Sequence, residues 1–575
     1  MDPNIQHQES SQHEHTGKMY SYQEENNVNN NNSDHLQDAI RRSIGGDNPN
    51  VNYPKQNYNN LYSQNNVNTN VEIVQNQENY YKNSIRNNNP FSYWIPYIIV
   101  VVLEVITIIL IGCLFNWDIR NAPNNSDKKG EKGEKGENED KTIDEHINGA
   151  IDEEMREYEG LFRDINIMVF AGFGMFHTLL KRFSWTSIAI NLIAIAISFQ
   201  IGLITNLIWG NAFKEKWTSG VLNFSSFTKS IVNSSSVLVS LGCVFGKLTN
   251  SQYLIMIILE TIMCSLNFQL CDIKIKAVDL GALYIHTFGA LFGSSIYMVL
   301  FYSSKMKSKK FEENYYNKSN YFSNLTSFVG ILFLWCYFPS FNSGLVPYTN
   351  ARYRACINTY FSLAGGVVGS FIFSFLFYKG RVVMEHILFG SFSGGVIISG
   401  CCSVCIDHWA ALLIGFIGGF IAVLFLDKIK PSFINWKYYD IYNILYIHGI
   451  PGLLGAFITP MMIGNLKMRI GDEYYYLLSD FDRGNDLQAS IQVGAIFVTI
   501  GLAFASGISI GYLIKVSTCG KIEKYFIDSE IFEKESNLID NVEQNEFFVG
   551  DITRASLFQN RIDFPPERGS QPSYN

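Results

Sequence analysis

The stretch from Asp279 to Gly293, DLGALYIHTFGALFG, is an apolar segment with a single histidine, His286, near its centre. On a helix with 3.6 residues per turn, His286 shares its face with Gly289, Ala290 and Gly293. Small residues inside a membrane mark places where helices approach closely, and an imidazole on such a face avoids lipid. We therefore expect His286 to face another helix or an internal cavity.

A second stretch, NILYIHGIPGLLGA at residues 443–456, repeats this arrangement around His448. Pro451, Gly452 and Gly455 fall on the face of that histidine. Both histidines follow an isoleucine and precede a glycine by seven residues. Because two apolar helices each present one imidazole from a seam of small residues, we expect both imidazoles to line one site.

The composition is typical of a membrane protein with polar ends. Of the 575 residues, 47% are hydrophobic and only 17% are charged, which is unusually apolar for a set of soluble domains. The net charge of −8 argues against a nucleic-acid partner, and no basic tract outweighs it.

The polar segments divide the chain into three domains. Residues 1–90 are rich in Asn, Gln, Ser and Tyr, which predicts a disordered tail. Residues 91–516 form the predicted transmembrane domain, and its polar segment 116–163 is expected to be an extracellular loop. Within that loop Asn124 begins a glycosylation sequon, a weak signal because such triplets are common. Residues 517–575 form a predicted acidic cytoplasmic tail.

The apolar runs predict an all-α polytopic membrane protein with about twelve spans, each near the roughly 20 residues that cross a bilayer. After the first span, two groups of five follow, and each histidine lies in the fifth span of its group. An odd number of spans per group gives the groups opposite orientations, which is typical of an inverted repeat with a site between its halves. The predicted spans are 93–115, 164–181, 186–209, 229–247, 250–271, 277–302, 324–341, 353–378, 383–405, 408–427, 443–464 and 488–514.

Two neutral imidazoles that meet can share one hydrogen bond, which leaves one outer donor nitrogen and one outer acceptor nitrogen. Inside an apolar tube the pair stays uncharged, because desolvation disfavours the imidazolium. Moving a bare cation into such a tube costs free energy. A small neutral molecule that both donates and accepts hydrogen bonds can instead pass along the imidazole pair. Ammonia, formed when ammonium loses a proton at a polar mouth, has these properties.

Five stretches match one known family in order along the chain: FRDINIMVFAGFGM (162–175), YIHTFGALFG (284–293), ILFLWCYFPSFNS (331–343), RACINTYFSLA (354–364) and NILYIHGIPGLLGA (443–456). They resemble the Rh (Rhesus-type) glycoproteins of the ammonium transporter superfamily, over roughly residues 93–515. The resemblance implies a conducting pore lined by His286 and His448, with ammonium or ammonia as the transported molecule. It also implies a homotrimer in a lipid bilayer, as a multi-pass protein of the plasma membrane or an endomembrane compartment.

The same resemblance assigns roles at the mouths of the pore. Phe341 matches an aromatic constriction above the histidines, and packing alone is the competing interpretation. The other gate phenylalanine of the family falls on Val232, which implies a wider or single-ringed constriction. The family aspartate stands eight residues before the first histidine, whereas Asp279 stands seven before His286. Asp440, eight residues before His448, fits the family spacing better. Either aspartate could brace an entrance or stabilise a cation, and Asp440 could equally start a helix.

Alternative functions follow from the same residues. A membrane organising protein with a closed pore, or a pore that also passes carbon dioxide, fits the same resemblance. An ion-coupled transporter would need buried acids, for which Glu104 and Glu260 are candidates. The stripe Phe170, Phe173 and Phe176 is assigned to packing. No nucleotide loop, nucleophile motif or complete metal-ligand set occurs, so we expect no enzymatic activity, catalytic residue, cofactor or metal.

Overall fold

The computed structural model describes residues 91–117, 158–181, 183–278, 281–301, 319–346, 349–435, 438–470 and 485–517. Asp279, Asn124, the predicted tail at 1–90 and, except for Ser517, the predicted tail at 517–575 lie outside these ranges.

Twelve helices follow one another through the described ranges. The first six are α1 (Phe91–Leu114), α2 (160–179), α3 (Ser184–Lys214), α4 (Phe224–Val244), α5 (Asn250–Ile275) and α6 (Gly281–Phe301). The last six are α7 (Tyr321–Ser343), α8 (Thr349–Phe377), α9 (Met384–Ile398), α10 (408–435), α11 (445–470) and α12 (Asn485–Ser517).

Most of these helices can span a bilayer. Of those described, 10 are long and apolar enough to cross a membrane. The other two are α9, an apolar helix of 15 residues, and α2, which changes between α, π and 3₁₀ turns along its length. The all-α polytopic class predicted from the sequence is confirmed, and the chain is an integral multi-pass membrane protein.

Polar residues just before three helices explain where they begin. Asn223 before α4, Thr249 before α5 and Asn320 before α7 each accept a hydrogen bond from the backbone N–H three residues later. In each case the side chain three residues later bonds back to the backbone N–H of the first residue. These capping boxes satisfy donors that would otherwise be left open at a helix start.

The ends of the predicted polar segment 116–163 are ordered in the structure. Strand β1 (Phe115–Trp117) pairs in parallel with β2 (Gly220–Leu222), a contact absent from the sequence prediction. At the other end α2 begins at Gly160, before the predicted span that starts at residue 164. The charged residues there predict a loop. In the structure, Arg163 and Glu159 form an i,i+4 ion pair at 3.3 Å on one helix face.

The two groups of five helices pack on each other through equivalent members. The first helices of the groups, α2 and α7, lie against each other, and so do the last, α6 and α11. The α2–α7 contact is close: a Cβ on Gly330 would lie 2.2 Å from the backbone nitrogen of Phe176. Such pairing of equivalent helices is what an inverted repeat produces. It brings the two histidine-bearing helices together in the interior.

Candidate functional site

The two predicted histidines meet between α6 and α11. Their Nδ1 atoms lie 3.0 Å apart, a hydrogen-bond distance, and their ring centroids are 5.1 Å apart with the planes inclined by 25°. Both side chains are almost fully buried. The structure therefore brings together two residues that stand in opposite halves of the sequence.

Each histidine lies in a π-helical turn at the start of its helix. His286 belongs to the turn Gly281–Thr287, and His448 belongs to the turn Leu445–Gly449. A π turn is wider than an α turn, is rarely stable alone and is common at functional sites. It occurs at the equivalent point of both repeats, and the two rings meet edge to edge through their Nδ1 atoms.

Glycines let the two helices approach closely enough for the rings to touch. A Cβ on Gly452 would lie 2.9 Å from Cβ of His286, and a Cβ on Gly449 would lie 3.1 Å from Cβ of Ala290. One turn beyond His286 on α6, a Cβ on Gly289 would lie 2.6 Å from the carbonyl oxygen of Ser236 in α4. The predicted seam of small residues is therefore the surface on which α6 is packed.

The hydrogen bond between the rings determines what the outer nitrogens can do. One Nδ1 must donate its proton and the other must accept it. The donating ring then has an acceptor at Nε2, whereas the accepting ring carries its proton on Nε2. Neither Nε2 has a hydrogen-bond partner among the described residues. The pair thus presents one donor and one acceptor to a molecule lying beside it.

Phenylalanine rings from three helices enclose the pair. On the His286 side, the α7 rings Phe338 and Phe341 lie with centroids 5.9 and 6.5 Å from the imidazole. On the His448 side, Phe392 of α9 makes an edge contact at 5.1 Å, and Phe173 of α2 stacks at 6.3 Å. All four phenylalanines are buried. The surroundings of the imidazoles are therefore aromatic and apolar.

Of these four rings the sequence singled out only Phe341 for the pore. Phe338 stands one helical turn before it, which is a signal that could have been used. Phe173, which the sequence assigned to packing, belongs to the buried core, and its ring also stacks on His448. The π turn Met168–Phe173 breaks the regular spacing of the stripe, so Phe170 is 41% exposed while Phe173 is buried.

Asp440 lies outside the membrane-spanning segments, before α11. Its Oδ2 accepts the N–H of Leu445 at 2.8 Å, so it holds the turn from which the His448 helix starts. Burial raises the pKa of this carboxyl, and hydrogen bonds from the backbone N–H groups of Leu445 and Ile444 act in the opposite direction. This geometry corresponds to the interpretation of Asp440 as a residue that starts a helix.

The remaining predicted site residues take different positions. Val232 is fully buried in α4, one turn before Ser236, whose hydroxyl lies 3.5 Å from the carbonyl of Ile285. It therefore lies on the face of α4 that packs on α6. Asp279 and Asn124 lie outside the described residues. Among the residues that are described, no group of three or more His, Cys, Asp or Glu is placed to hold a metal ion.

The two acids considered for ion coupling are not equivalent. Glu104 lies at an exposed position on α1, so its interpretation as a buried acid is wrong. Glu260 is fully buried in α5 and accepts a hydrogen bond from the hydroxyl of Ser240. Ser240 packs against Gly293, which is two turns beyond His286 on α6. Glu260 is thus close to α6, at a different level from the imidazoles.

The sequence and the fold both match known proteins. Residues 159–528 match the sequence model of the Ammonium Transporter Family. The chain is 32% identical to Rhesus-like glycoprotein A of Dictyostelium discoideum over 67% of this chain and 74% of that protein. It is 28% identical to ammonium transporter Rh type C of Canis lupus familiaris over 73% and 89% of the two chains. Among solved structures, Nitrosomonas europaea Rh50 has the same fold, with a TM-score of 0.57 at 22% identity over 70% of this chain and 99% of that one.

Proposed function

This chain belongs to the ammonium transporter family, in its Rh branch, and we propose that it conducts ammonia across a membrane between the paired histidines. The observation that carries the proposal is the 3.0 Å contact between Nδ1 of His286 and Nδ1 of His448. It leaves two buried ring nitrogens, one donor and one acceptor, for a solute that passes along the pair.

The enclosure of the pair favours a neutral solute. Four phenylalanine rings contact the imidazoles, and attraction to ring faces offsets only part of the hydration that a cation loses on entering. Ammonium must therefore give up its proton before it reaches the pair, and ammonia passes alone. Transport by this route is electroneutral, since no net charge crosses with the molecule.

The protein works as a homotrimer in this proposal, with one pore per subunit, as the Rh resemblance implies. Each pore lies inside one subunit, because both histidines come from the same chain. Three pores should therefore act independently. Native mass measurement of the purified protein tests the number of copies.

The proposal is tested with the full-length protein in proteoliposomes, by stopped-flow measurement of the internal pH after mixing with an ammonium salt. We expect a faster alkaline transient than in protein-free vesicles. His286→Ala and His448→Ala each leave one imidazole without its partner, and the protein-dependent flux should fall about tenfold or more, the effect of about 1.4 kcal/mol on a barrier. His386→Ala is a matched control, because His386 is a buried histidine of α9 that contacts Ser374 at 3.2 Å.

Equal transients in vesicles with and without the protein would reject the conduit and favour the closed-pore alternative. A membrane current that scales with the flux would reject the electroneutral route. The same vesicles challenged with carbon dioxide determine whether the pore also passes that gas.

A further inference from the structure

A third buried imidazole lies next to the pair. His177 belongs to the 3₁₀ turn His177–Leu179 at the end of α2 and is fully buried. One phenylalanine connects it to the pair, because the Phe173 ring lies 5.7 Å from the His177 ring and 6.3 Å from the His448 ring. No motif in the sequence singled out this residue. The structure therefore adds a third imidazole to the two that were predicted.

One side of the His177 ring is fixed by a hydrogen bond. Its Nδ1 lies 2.9 Å from Oδ1 of Asn191, a buried residue of α3. An amide oxygen can only accept, so Nδ1 carries the proton and donates it. In a neutral imidazole the other nitrogen, Nε2, then has a free lone pair. His177 thus presents an acceptor on the side away from Asn191.

The acceptor nitrogen of His177 has no hydrogen-bond partner among the described residues. It lies beside Gly242, where a Cβ would stand 3.3 Å from Nε2 and 2.6 Å from Cδ1 of Ile444. Buried polar atoms are nearly always paired, and one left unpaired costs free energy. A small molecule that donates a hydrogen bond to Nε2 would remove this cost.

The rings around His177 hold it in place and make its surroundings apolar. Phe245 and Phe176 lie with centroids 4.7 and 5.1 Å away, and Tyr442 makes an edge contact at 5.4 Å. The Tyr442 hydroxyl donates to the backbone carbonyl of His177 at 2.8 Å, so it does not occupy Nε2. The nearby cation, Lys247, donates to the carbonyls of Cys243 and Tyr439. The position therefore suits a neutral donor such as ammonia.

We propose that Nε2 of His177 is a third binding site for ammonia, separated from His448 by the ring of Phe173. This inference rests on the proposed function and extends it. Ammonia leaving the histidine pair passes Phe173 and donates an N–H to Nε2, while Asn191 keeps the imidazole in the accepting tautomer. Conduction in this chain then uses three imidazoles in succession.

The first test compares ammonia flux in proteoliposomes for the full-length wild type, His177→Met and His177→Gln. Methionine fills similar space without a comparable acceptor, so the flux should fall about three- to tenfold, the range for one lost buried hydrogen bond. Glutamine keeps an acceptor oxygen and should retain more flux than methionine. Wild-type flux in a normally folded His177→Met protein would overturn the inference, and so would equal losses in the two variants.

A second test observes binding directly and does not depend on flux. Solid-state NMR of proteoliposomes with ¹⁵N-labelled histidine identifies the His177 signals by their loss in His177→Met. Adding ammonium chloride at constant pH should shift the Nε2 signal, and sodium chloride at equal concentration should not. An unchanged signal overturns the third site whatever the flux. Absence of flux in the wild type overturns the proposed function instead, and the Nε2 shift then still decides whether ammonia binds at His177.

Discussion

The choice of ring nitrogen at the histidine pair has chemical consequences. His286 and His448 meet through Nδ1, which is the nitrogen nearer the backbone, and leave Nε2 at the tips of both rings. A solute that passes the pair therefore meets one hydrogen-bond donor and one acceptor along the same path. Ammonia can accept one hydrogen bond and donate three, so it can bond to both tips. A solute that only donates or only accepts would satisfy one of them.

Lys247 provides a prediction for the dependence of stability on pH. It lies between α4 and α5 and is 1% exposed. Burial lowers its pKa from 10.5 to about 8, and the nearby Asp440 carboxyl partly offsets this. Because the value in the folded protein is the lower one, the unfolded chain binds more protons between these pH values. The free energy of unfolding should therefore rise with pH across that window.

The measurement is the apparent melting temperature in detergent from pH 7 to pH 10 or so, for the wild type, Lys247→Met and Lys216→Met. Across this window the wild type should gain stability relative to Lys247→Met. Lys216 is exposed, and its replacement should leave the pH dependence of the wild type unchanged. Parallel curves for the wild type and Lys247→Met would contradict the prediction.

The sequence was informative about single residues where a motif repeated. The Ile-His dipeptide followed by glycine at the same spacing identified His286 and His448 without any structure. It did not identify Phe392, Phe173 or His177, because these side chains reach the site from other helices. Which face of such a helix turns inward depends on its rotation against its neighbours, and composition carries no record of that rotation.

At the scale of single elements, the two π turns and the glycines beside them position the rings. Gly452 of α11 is the most direct example, since a Cβ there would lie 2.9 Å from Cβ of His286 and 3.2 Å from the carbonyl oxygen of Ala282. The histidine Cβ is fixed to its backbone, so it cannot turn aside. A side chain at 452 must push α6 and α11 apart.

We therefore expect Gly452→Ala to lower ammonia flux about tenfold or more, and overpacking should cost about 1–3 kcal/mol of stability. Gly464→Ala is the matched control on the same helix, because a Cβ there would meet no atom within 4 Å. Stopped-flow flux and melting temperature measured on both variants make the comparison. Wild-type flux in Gly452→Ala would mean that the contact between the rings does not limit conduction.

Hydropathy predicts the membrane-spanning helices, but it does not predict the π turns or the short strands. Each of the twelve predicted spans corresponds to a described helix. For 10 of them the reason is that about 20 apolar residues in a row have few alternatives to crossing the bilayer. The π turns could not be predicted, since a π turn differs from an α turn by one residue of register that packing decides. The β1–β2 pair was missed because a strand of three residues has too few positions to show alternation.

A hydrogen-bonded clamp joins α12 to the segment that leads into α6. The Gln492 side chain accepts the N–H of Val278 at 3.1 Å and donates to the carbonyl of the same residue at 2.7 Å. Gln488 donates to the carbonyl of Lys276 at 3.0 Å. These bonds hold the backbone just before the π turn of His286.

Gln492→Leu would leave both backbone groups of Val278 without this partner, which should cost about 1–3 kcal/mol of stability per buried group. The start of α6 should loosen, and the flux should fall together with the melting temperature. Ser490→Ala, at an exposed position of α12 whose hydroxyl donates to the carbonyl of Asp486 in its own helix, is the control. An unchanged melting temperature in Gln492→Leu would show that the clamp is dispensable.

At the scale of the whole molecule, α12 lies outside both groups of five helices and yet packs along the last helix of each, α6 and α11. Helix α12 packs closely on α6. A Cβ on Gly507 would lie 2.8 Å from the carbonyl oxygen of Phe292, and a Cβ on Gly511 would lie 3.0 Å from Cβ of Val299. One helix therefore supports both histidine-bearing helices from behind. The pair forms between the repeats, and α12 packs against both helices that carry it.

Two truncations test this division of roles. A chain of residues 91–517 contains every contact of the candidate site described above, so it should fold and keep its ammonia flux in proteoliposomes. A chain of residues 91–484 also contains both histidines, but it loses the Gln492 clamp and the packing on Gly507 and Gly511. Without that support α6 and α11 expose the faces that α12 covers, and we expect loss of the monodisperse peak in size-exclusion chromatography. If the shorter chain remained monodisperse and conducting, the two repeats alone would set the geometry of the pair, and α12 would have another purpose.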